Sequence, residues 1–503
     1  MITSRRRFLK SVAGTSLGGI LGAAAGPAAH GQVQLRPRNI LLLMCDQLRF
    51  DGLGYAGNRF AVTPVLDRLA DSGVVFSRTY SQNPLCVPAR TSLLLGRYCR
   101  STGVLSNQDL PYRNQISFTQ VLREAGFKTA CFGKLHVQDR SDLDWDIVDD
   151  SRPSRVGARG GGRGRRGRGA ATNTPEPEAP AGIIPVGRPA GFDEEFHPEL
   201  HDMRHTIAFM EENRSDPWFI QCSFRKPHPP FLPPQRQWDR IDRSNLVIPR
   251  YPDDDLDDVN PALWQRPNGT SRAPELDDEV VLDAMQGYYG SLAYCDELFG
   301  QVLGVLDHLG LREDTLVVFT ADHGEMLYDH RLWSKSNFFE QSVHIPLILS
   351  WPGQLEAGQS NALAEHTDLF PTFTDLLSLE TPDSVQGRSL APVLRGEMES
   401  NRDMVHSEQS RGFAMQFDGR WKFIHNGEGA EHELYDLQED PREITNLAMD
   451  PEYGERVLAL AAELNAWLEQ DAVPRRGGRP GGRGRRGRGR GRRRGGRQGA
   501  GRD

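Results

Sequence analysis

The residues best suited to chemistry lie at positions 86–97, where Cys86, Pro88, Arg90, Gly96 and Arg97 bracket the apolar run 93–95. Pro88 suits the first residue of a helix, where a missing N–H costs nothing. A helix starting there sets Cys86 at its mouth, facing backbone donors without partners and the positive end of the helix dipole. Such a mouth favours an anion. Arg90, four residues on, comes round to the same face and offers a two-pronged clamp for an oxyanion. Cys86 is then either a buried structural thiol or a thiolate nucleophile on a rigid support.

Four further stations follow apolar runs that read as strands. Residues 38–44 form a continuous apolar run, as in a central parallel strand covered on both faces, and deliver Asp46 and Gln47 to its carboxyl end. Open α/β sheets place their sites at that end, although an Asp after a strand can equally be a helix cap. The strand-like run 127–132 leads into Gly133-Lys134-Leu135-His136. On an extended chain Lys134 and His136, two apart, point the same way. The run 217–224 feeds a proline-stiffened loop, Pro227-His228-Pro229-Pro230-Phe231, that holds His228 in place. The run 314–321 ends in Asp322-His323-Gly324-Glu325, followed by Leu332-Trp333-Ser334-Lys335. A lone Lys or His at any of these places would be a surface or structural residue.

Together, in this order, the motifs resemble those of the type I, formylglycine-dependent sulfatases of the alkaline phosphatase-like superfamily. The resemblance runs from about residue 38 to residue 468. It implies a large, mostly parallel sheet flanked by helices, with a small C-terminal antiparallel α+β appendage. It also implies that a maturase converts Cys86 to formylglycine, whose hydrated aldehyde attacks sulfur. Asp46, Gln47, Asp322 and His323, with residue 86, would hold one divalent cation. The oxygen-rich set fits Ca²⁺ better than Zn²⁺, and calcium is the family expectation. Many members carry Asp-Asp where this chain has Asp46-Gln47, which removes one negative charge without losing an oxygen ligand. By resemblance, Arg90 and Lys134 hold hydrate and sulfate oxygens, His136 helps eliminate sulfate, and His228 and Lys335 bind or protonate the leaving oxygen.

The elements that must position these groups are legible in outline. A chain of 503 residues exceeds one comfortable core, so more than one folded unit is expected. A catalytic α/β region over 38–400 would be followed by short strands at 413–417, 420–425 and 433–437, joined by hairpin turns, and a final helix over 453–469. Long helical character at 280–309 and shorter helices near 64–73 and 116–125 complete the frame. Cys45, Cys131 and Cys222 fall in strand-like runs as small core residues, and six scattered cysteines give no disulfide framework.

Three segments stand apart. Residues 1–31 open with Ser4-Arg5-Arg6-Arg7-Phe8-Leu9-Lys10 and an Ala/Gly-rich stretch, a twin-arginine export pattern too short for a membrane span. Export to the periplasm or beyond is the expectation. Residues 151–169 hold seven arginines among glycines and lead into Pro/Glu-rich sequence to about 190, an insertion unable to bury a core. The tail 474–503 repeats that composition with thirteen arginines against Asp503. The two arginine tracts carry +19, so a formal total of −8 conceals a body near −27. Such tracts can contact nucleic acid, sulfated polyanions or the acidic body itself, or remain solvated with no fixed partner.

The function expected is hydrolysis of a sulfate monoester, on a sulfated carbohydrate or small organic sulfate. Phosphonate or phosphate ester hydrolysis in the same superfamily is the alternative. A non-catalytic polyanion-binding protein is the alternative of another class. Nucleic-acid binding as the main function fits poorly with the acidic body.

Overall fold

The computed structural model describes residues 36–138, 143–150, 187–264, 276–427 and 431–470. The export pattern, the arginine tract at 151–169 and the tail lie outside these residues. The chain builds one nine-stranded sheet, with β1 (Asn39–Asp46) near its centre. Ile40, Leu41, Leu42, Leu43 and Met44 are all buried, each contributing about 1.5–3 kcal/mol over exposure. That burial makes β1 a stiff beam, and whatever stands at its end inherits the stiffness.

Around β1 the sheet runs β4 (Ile147–Asp149), β3 (Lys128–Gly133), β5 (Trp218–Pro227), β1, β6 (Thr315–Ala321), β8 (Leu347–Ser350), β2 (Val74–Tyr80) and β7 (His344–Ile345). The block from β4 to β6 is parallel throughout. β8 runs antiparallel to both β6 and β2, while β9 (Gly358–Glu365) pairs parallel with β2. Parallel neighbours end side by side: Cys45 stands opposite Ala321, and Gly133 opposite Ser223. The residues following β1, β3, β5 and β6 are therefore gathered at one edge of the sheet by register alone.

Helices cover both faces, as a sheet buried on both sides requires. The longest, Asp278–His308, is started by the Asp277 side chain, which accepts from the Glu279 N–H. Its buried stripe, including Val281, Tyr288, Leu292, Phe299 and Val302, packs in the same core as β1 and β5. The helix Pro198–Glu212, which the sequence reading did not identify, contributes Met203, Phe209 and Met210 to that core.

A second sheet, antiparallel throughout, comprises β10 (Val405–Glu408), β11 (Phe413–Phe417), β12 (Trp421–Asn426) and β13 (Glu433–Asp436). Three of its strands match the expected spans, and β10 is an addition. The helix Gly454–Glu469 packs Leu460, Leu464 and Trp467 on Trp421, Phe423 and Leu434. The Lys422 ammonium, fully buried, bridges Glu443 at 2.7 Å and Glu340 at 2.8 Å, and so ties this sheet to the segment after β6.

The structure departs from two local expectations. Pro88 is the third residue of its helix, Cys86–Leu95, and not the first; the helix opens on Cys86 itself, where the proline's missing N–H still costs nothing. The chain beyond β3 is not extended, since Gly133 has φ 91° and His136 φ 49°, so the alternation argument for Lys134 and His136 does not apply. Near the expected end of the insertion, at about 190, the described chain resumes at Gly187, which bridges Phe231, and Ala190 N–H donates to Pro233 O at 2.8 Å. A side chain at Gly187 would run into the Asp283 carbonyl, so the strip lies tight against the long helix.

Candidate active site

Two short-range devices aim the groups at the sheet edge. After β3 the Lys134 N–H donates to Ser223 O at 2.7 Å, closing a turn that only glycine can make at 133, because a Cβ there would meet the Ser223 oxygen. After β6 the Asp322 Oδ1 accepts from the backbone N–H of Gln47 and of His323, both at 3.0 Å. One carboxylate thus splices the ends of β1 and β6.

Cys86, 2% exposed, enters this edge from the mouth of its helix. Its Sγ lies 3.1 Å from His323 Nε2, 3.5 Å from Lys335 Nζ and 3.7 Å from Asp46 Oδ1. Lys134 forms an ion pair with Asp46. Arg90 donates from Nε to Asp322 Oδ2 at 2.8 Å and from Nη1 to Ser223 Oγ at 2.9 Å and to Lys134 O. Its Nη2 is buried without a hydrogen-bond partner among the described residues. A buried guanidinium donor left over in this way is suited to an anionic ligand.

The charges reinforce one another. Burial alone would push the Cys86 thiol up, but Lys134, Lys335 and His323 hold it well below the ordinary thiol range. Burial works against ionised Asp322 as well, yet His323, Arg90 and Lys134 bring it down to about 2. The same balance, led by Lys134, keeps Asp46 well below the usual carboxylate range. His228 differs. Burial, and then Lys335, push its imidazole down to about 4, and its Nδ1 lies 2.7 Å from Pro229 O. A carbonyl only accepts, so Nδ1 carries the hydrogen and Nε2 is left as an acceptor.

Asp46, Cys86, Asp322 and His323 each bring one ligand atom within 4.8 Å of the others. His323 Nδ1 lies 3.0 Å from Gly324 O, so Nδ1 carries a hydrogen and Nε2 is the ring nitrogen turned to the cluster, which would offer its lone pair to a cation once its own proton is lost. Two carboxylates, an imidazole and the neighbouring Gln47 amide oxygen form a set that fits a divalent cation.

The structure brings Asp46, Gln47, Cys86, Arg90, Lys134, Asp322, His323 and Lys335 together. His228 joins them through its electrostatic contact with Lys335 and Asp46. His136 is half-buried, with no hydrogen-bond partner for Nδ1 among the described residues, and it takes no part in the hydrogen bonds of the cluster. Residues the sequence reading missed include Ser223 and Arg49, which pairs with Asp51 and, at 2.7 Å, with Asp329. The sequence sets Glu325 in the motif after β6 without showing a role for it. It accepts from the Gln47 side chain, from Leu327 N–H at 3.0 Å and from Ser334 N–H at 2.5 Å. It thereby pins a loop in which Leu327, Tyr328, His330, Arg331, Ser334 and Ser336 all have positive φ. Such conformations cost about 1–2 kcal/mol each and persist where surrounding contacts enforce them.

A mixed sheet of this order, with a thiol, two lysines and a cation-binding set at its edge, has the alkaline phosphatase-like fold. The phosphonate monoester hydrolase of Agrobacterium radiobacter superposes with a TM-score of 0.71 at 26% identity, covering 87% of this chain and 96% of that one. The chain belongs to the sulfatase family, whose pattern matches residues 38–379. A second family pattern, the C-terminal region of N-sulphoglucosamine sulphohydrolase, matches residues 328–470. An arylsulfatase of Clostridium perfringens is 29% identical, covering 86% of this chain and 94% of that protein. A choline-sulfatase of Rhizobium meliloti is 28% identical, covering 82% and 83%. Among the described residues no helix is long and apolar enough to cross a membrane.

Proposed function

We propose that this sulfatase hydrolyses a sulfate monoester at the cluster around residue 86, on a sulfated carbohydrate or a small organic sulfate. The observation that carries the reading is the convergence of Cys86 with His323, Lys335 and Asp46 within 3.1–3.7 Å at one buried sheet edge. Cys86 is taken as the site a maturase converts to formylglycine, and its Sγ stands where an oxygen of the hydrated aldehyde would be. When so modified, residue 86 supplies an oxygen nucleophile. Asp46, Gln47, Asp322 and His323 would hold a divalent cation, assigned as calcium, which supplies charge neutralisation for sulfate oxygens.

The remaining work falls to this chain's own side chains. Arg90 and Lys134 bind sulfate oxygens, Arg90 through its spare Nη2. Lys335, beside Sγ, donates the proton that the leaving alcohol needs. His228, neutral at neutral pH with Nε2 as an acceptor, is better suited to bind a hydroxyl of the leaving group than to protonate it. His136 keeps only the role implied by resemblance, in releasing sulfate. We assign residues 38–400 to the catalytic region and 401–470 to an appendage. The arginine tracts are assigned contacts with polyanions, and residues 1–31 export.

A second reading has its own support. The structural neighbour from Agrobacterium radiobacter is a phosphonate monoester hydrolase, and a relative from Trinickia caryophylli, 27% identical, is named a multifunctional alkaline phosphatase superfamily protein. The deciding experiment compares turnover of defined sulfated sugars, choline sulfate, an aryl sulfate and an aryl phosphonate by enzyme co-produced with a maturase. Sulfate hydrolysis with the highest kcat/KM supports the first reading. Preference for the phosphonate establishes the second. Full retention of a free thiol at residue 86 in active enzyme would exclude the proposed nucleophile.

A further inference from the structure

A second group of metal-ligating side chains stands apart from this site, at the opposite end of the strand order from β7. Among the described residues β4 is the edge strand there, paired with β3 alone, and Asp149 is its last residue. The helix Pro198–Glu212 carries His201 and His205, one turn apart on the same face. The two imidazole centroids are 3.9 Å apart. Asp149 Oδ2 lies 2.7 Å from His205 Nδ1 and 3.4 Å from His201 Nε2. One donor atom from each of the three residues falls within 4.8 Å of the other two.

These separations suit one small ion. Zinc holds imidazole nitrogen and carboxylate oxygen at about 2.0–2.2 Å, so tetrahedral neighbours stand roughly 3.3–3.6 Å apart. The 3.4 Å pair is at that spacing, and the 2.7 Å pair needs to open by roughly 0.6–0.9 Å. The supports are fixed by packing. Asp149 is held in register with Phe132 of β3, and the Phe132 ring meets the His205 ring edge-on at 6.1 Å. The adjacent Asp150 is anchored by Arg225 at 2.7 Å. The side chains of His201 and His205 are 48% and 43% exposed.

We propose that Asp149, His201 and His205 form a binding site for a divalent transition-metal ion of the zinc class, its fourth position open to water. Two imidazoles and one carboxylate are borderline donors, which separates this site chemically from the harder, more oxygen-rich set at the β1 and β6 ends. The three ligands come from both sides of the stretch 150–200, so the ion clips β4 to the helix across that stretch. A clip that closes a long chain segment stabilises the fold, because the unfolded chain loses the entropy of keeping the ends apart. A metal bound only by the folded form also raises Tm with its concentration.

The test uses full-length protein stripped of metal and titrated with Zn²⁺ against a chromophoric chelator. Wild type is compared with H201A, H205A and H201A/H205A, and thermal melts follow with and without Zn²⁺. Wild type should bind one more equivalent than the double variant. Each single variant should bind that equivalent roughly tenfold more weakly or worse, a loss that even outer partners of metal ligands produce. Zinc should raise Tm of wild type beyond any rise in the double variant, while aryl sulfate turnover stays equal. Comparing the variants removes any contribution from the Cys86 cluster, which all of them share. Equal zinc stoichiometry and affinity in wild type and double variant would overturn the proposal. If H205A fails to fold, His201→Gln, at the more exposed position, carries the same comparison.

Discussion

Glu325 accepts a hydrogen bond from the Gln47 side-chain amide, and this contact decides which end of that amide faces the cation set. With the NH₂ turned to Glu325, the Gln47 oxygen faces Lys335 and the cluster. A carboxylate at position 47 would instead stand against the buried carboxylate of Glu325, so glutamine at 47 and glutamate at 325 form a matched pair. E325Q should reverse the orientation. The amide introduced at position 325 must keep its oxygen for the Leu327 and Ser334 N–H groups, which leaves its own NH₂ facing that of Gln47. Cation affinity and kcat/KM should each fall by roughly tenfold or more. The exchanged pair Q47E/E325Q should recover part of the loss. Cation titration and aryl sulfate kinetics check this, and unchanged affinity in E325Q would show that the orientation does not matter.

Cys86 should be the reactive thiol of unmodified protein. Burial pushes Cys99, Cys222 and Cys295 up, whereas the lysines around Cys86 hold it down. A short iodoacetamide pulse near neutral pH, read by peptide mass spectrometry, should label residue 86 first. K335A should slow labelling at a fixed pH above the operating range of the wild-type thiol, by roughly tenfold for each unit the thiol pKa rises past that pH. Faster labelling of any of the other three would contradict the charge arrangement.

His197 should limit stability in acid. Burial, aided by Lys226, pushes its imidazole down to about 3, and it packs against Phe192 and Tyr294. The unfolded chain takes up this proton first, near about pH 6.5. The contribution to stability is therefore complete above about 6.5 and is lost as pH falls from there toward about 3. H197Q should flatten the acid limb of the Tm-against-pH curve, by up to a few kcal/mol between neutral pH and about pH 4. An acid limb identical to wild type would rule this histidine out.

Removing residues 475–503 should leave turnover of a small aryl sulfate nearly unchanged, because every group in the cluster lies before residue 336. The tail carries thirteen arginines on a chain whose body is acidic. If it contacts sulfated polymers, truncation should weaken their binding, and binding by the intact protein should fall steeply with salt, by analogy with counterion release from nucleic acid. Equal polymer affinity for both forms at low salt would remove that role. Loss of aryl sulfate turnover would place the edge of the folded region later than residue 474.

The sequence alone determined the stations of the site. Strands buried on both faces announce themselves as unbroken apolar runs, and a motif at the end of each run must fall at the sheet edge. Asp46, Lys134, His228 and Asp322 were legible for that reason, and Cys86 and Arg90 because helical spacing puts them on one face. Tertiary structure alone decided what periodicity cannot carry. The parallel register sets Cys45 beside Ala321 and so Asp46 beside Asp322, although about 275 residues separate the two strand ends. The turn at Gly133 broke the alternation that would have carried His136 alongside Lys134. Glu325 gained its place only when the loop after β6 folded back onto it, and Asp149 met His201 and His205 only through pairing at the sheet edge. Local spacing records which face a residue takes within its own element, whereas partners across elements are chosen by packing of the whole core.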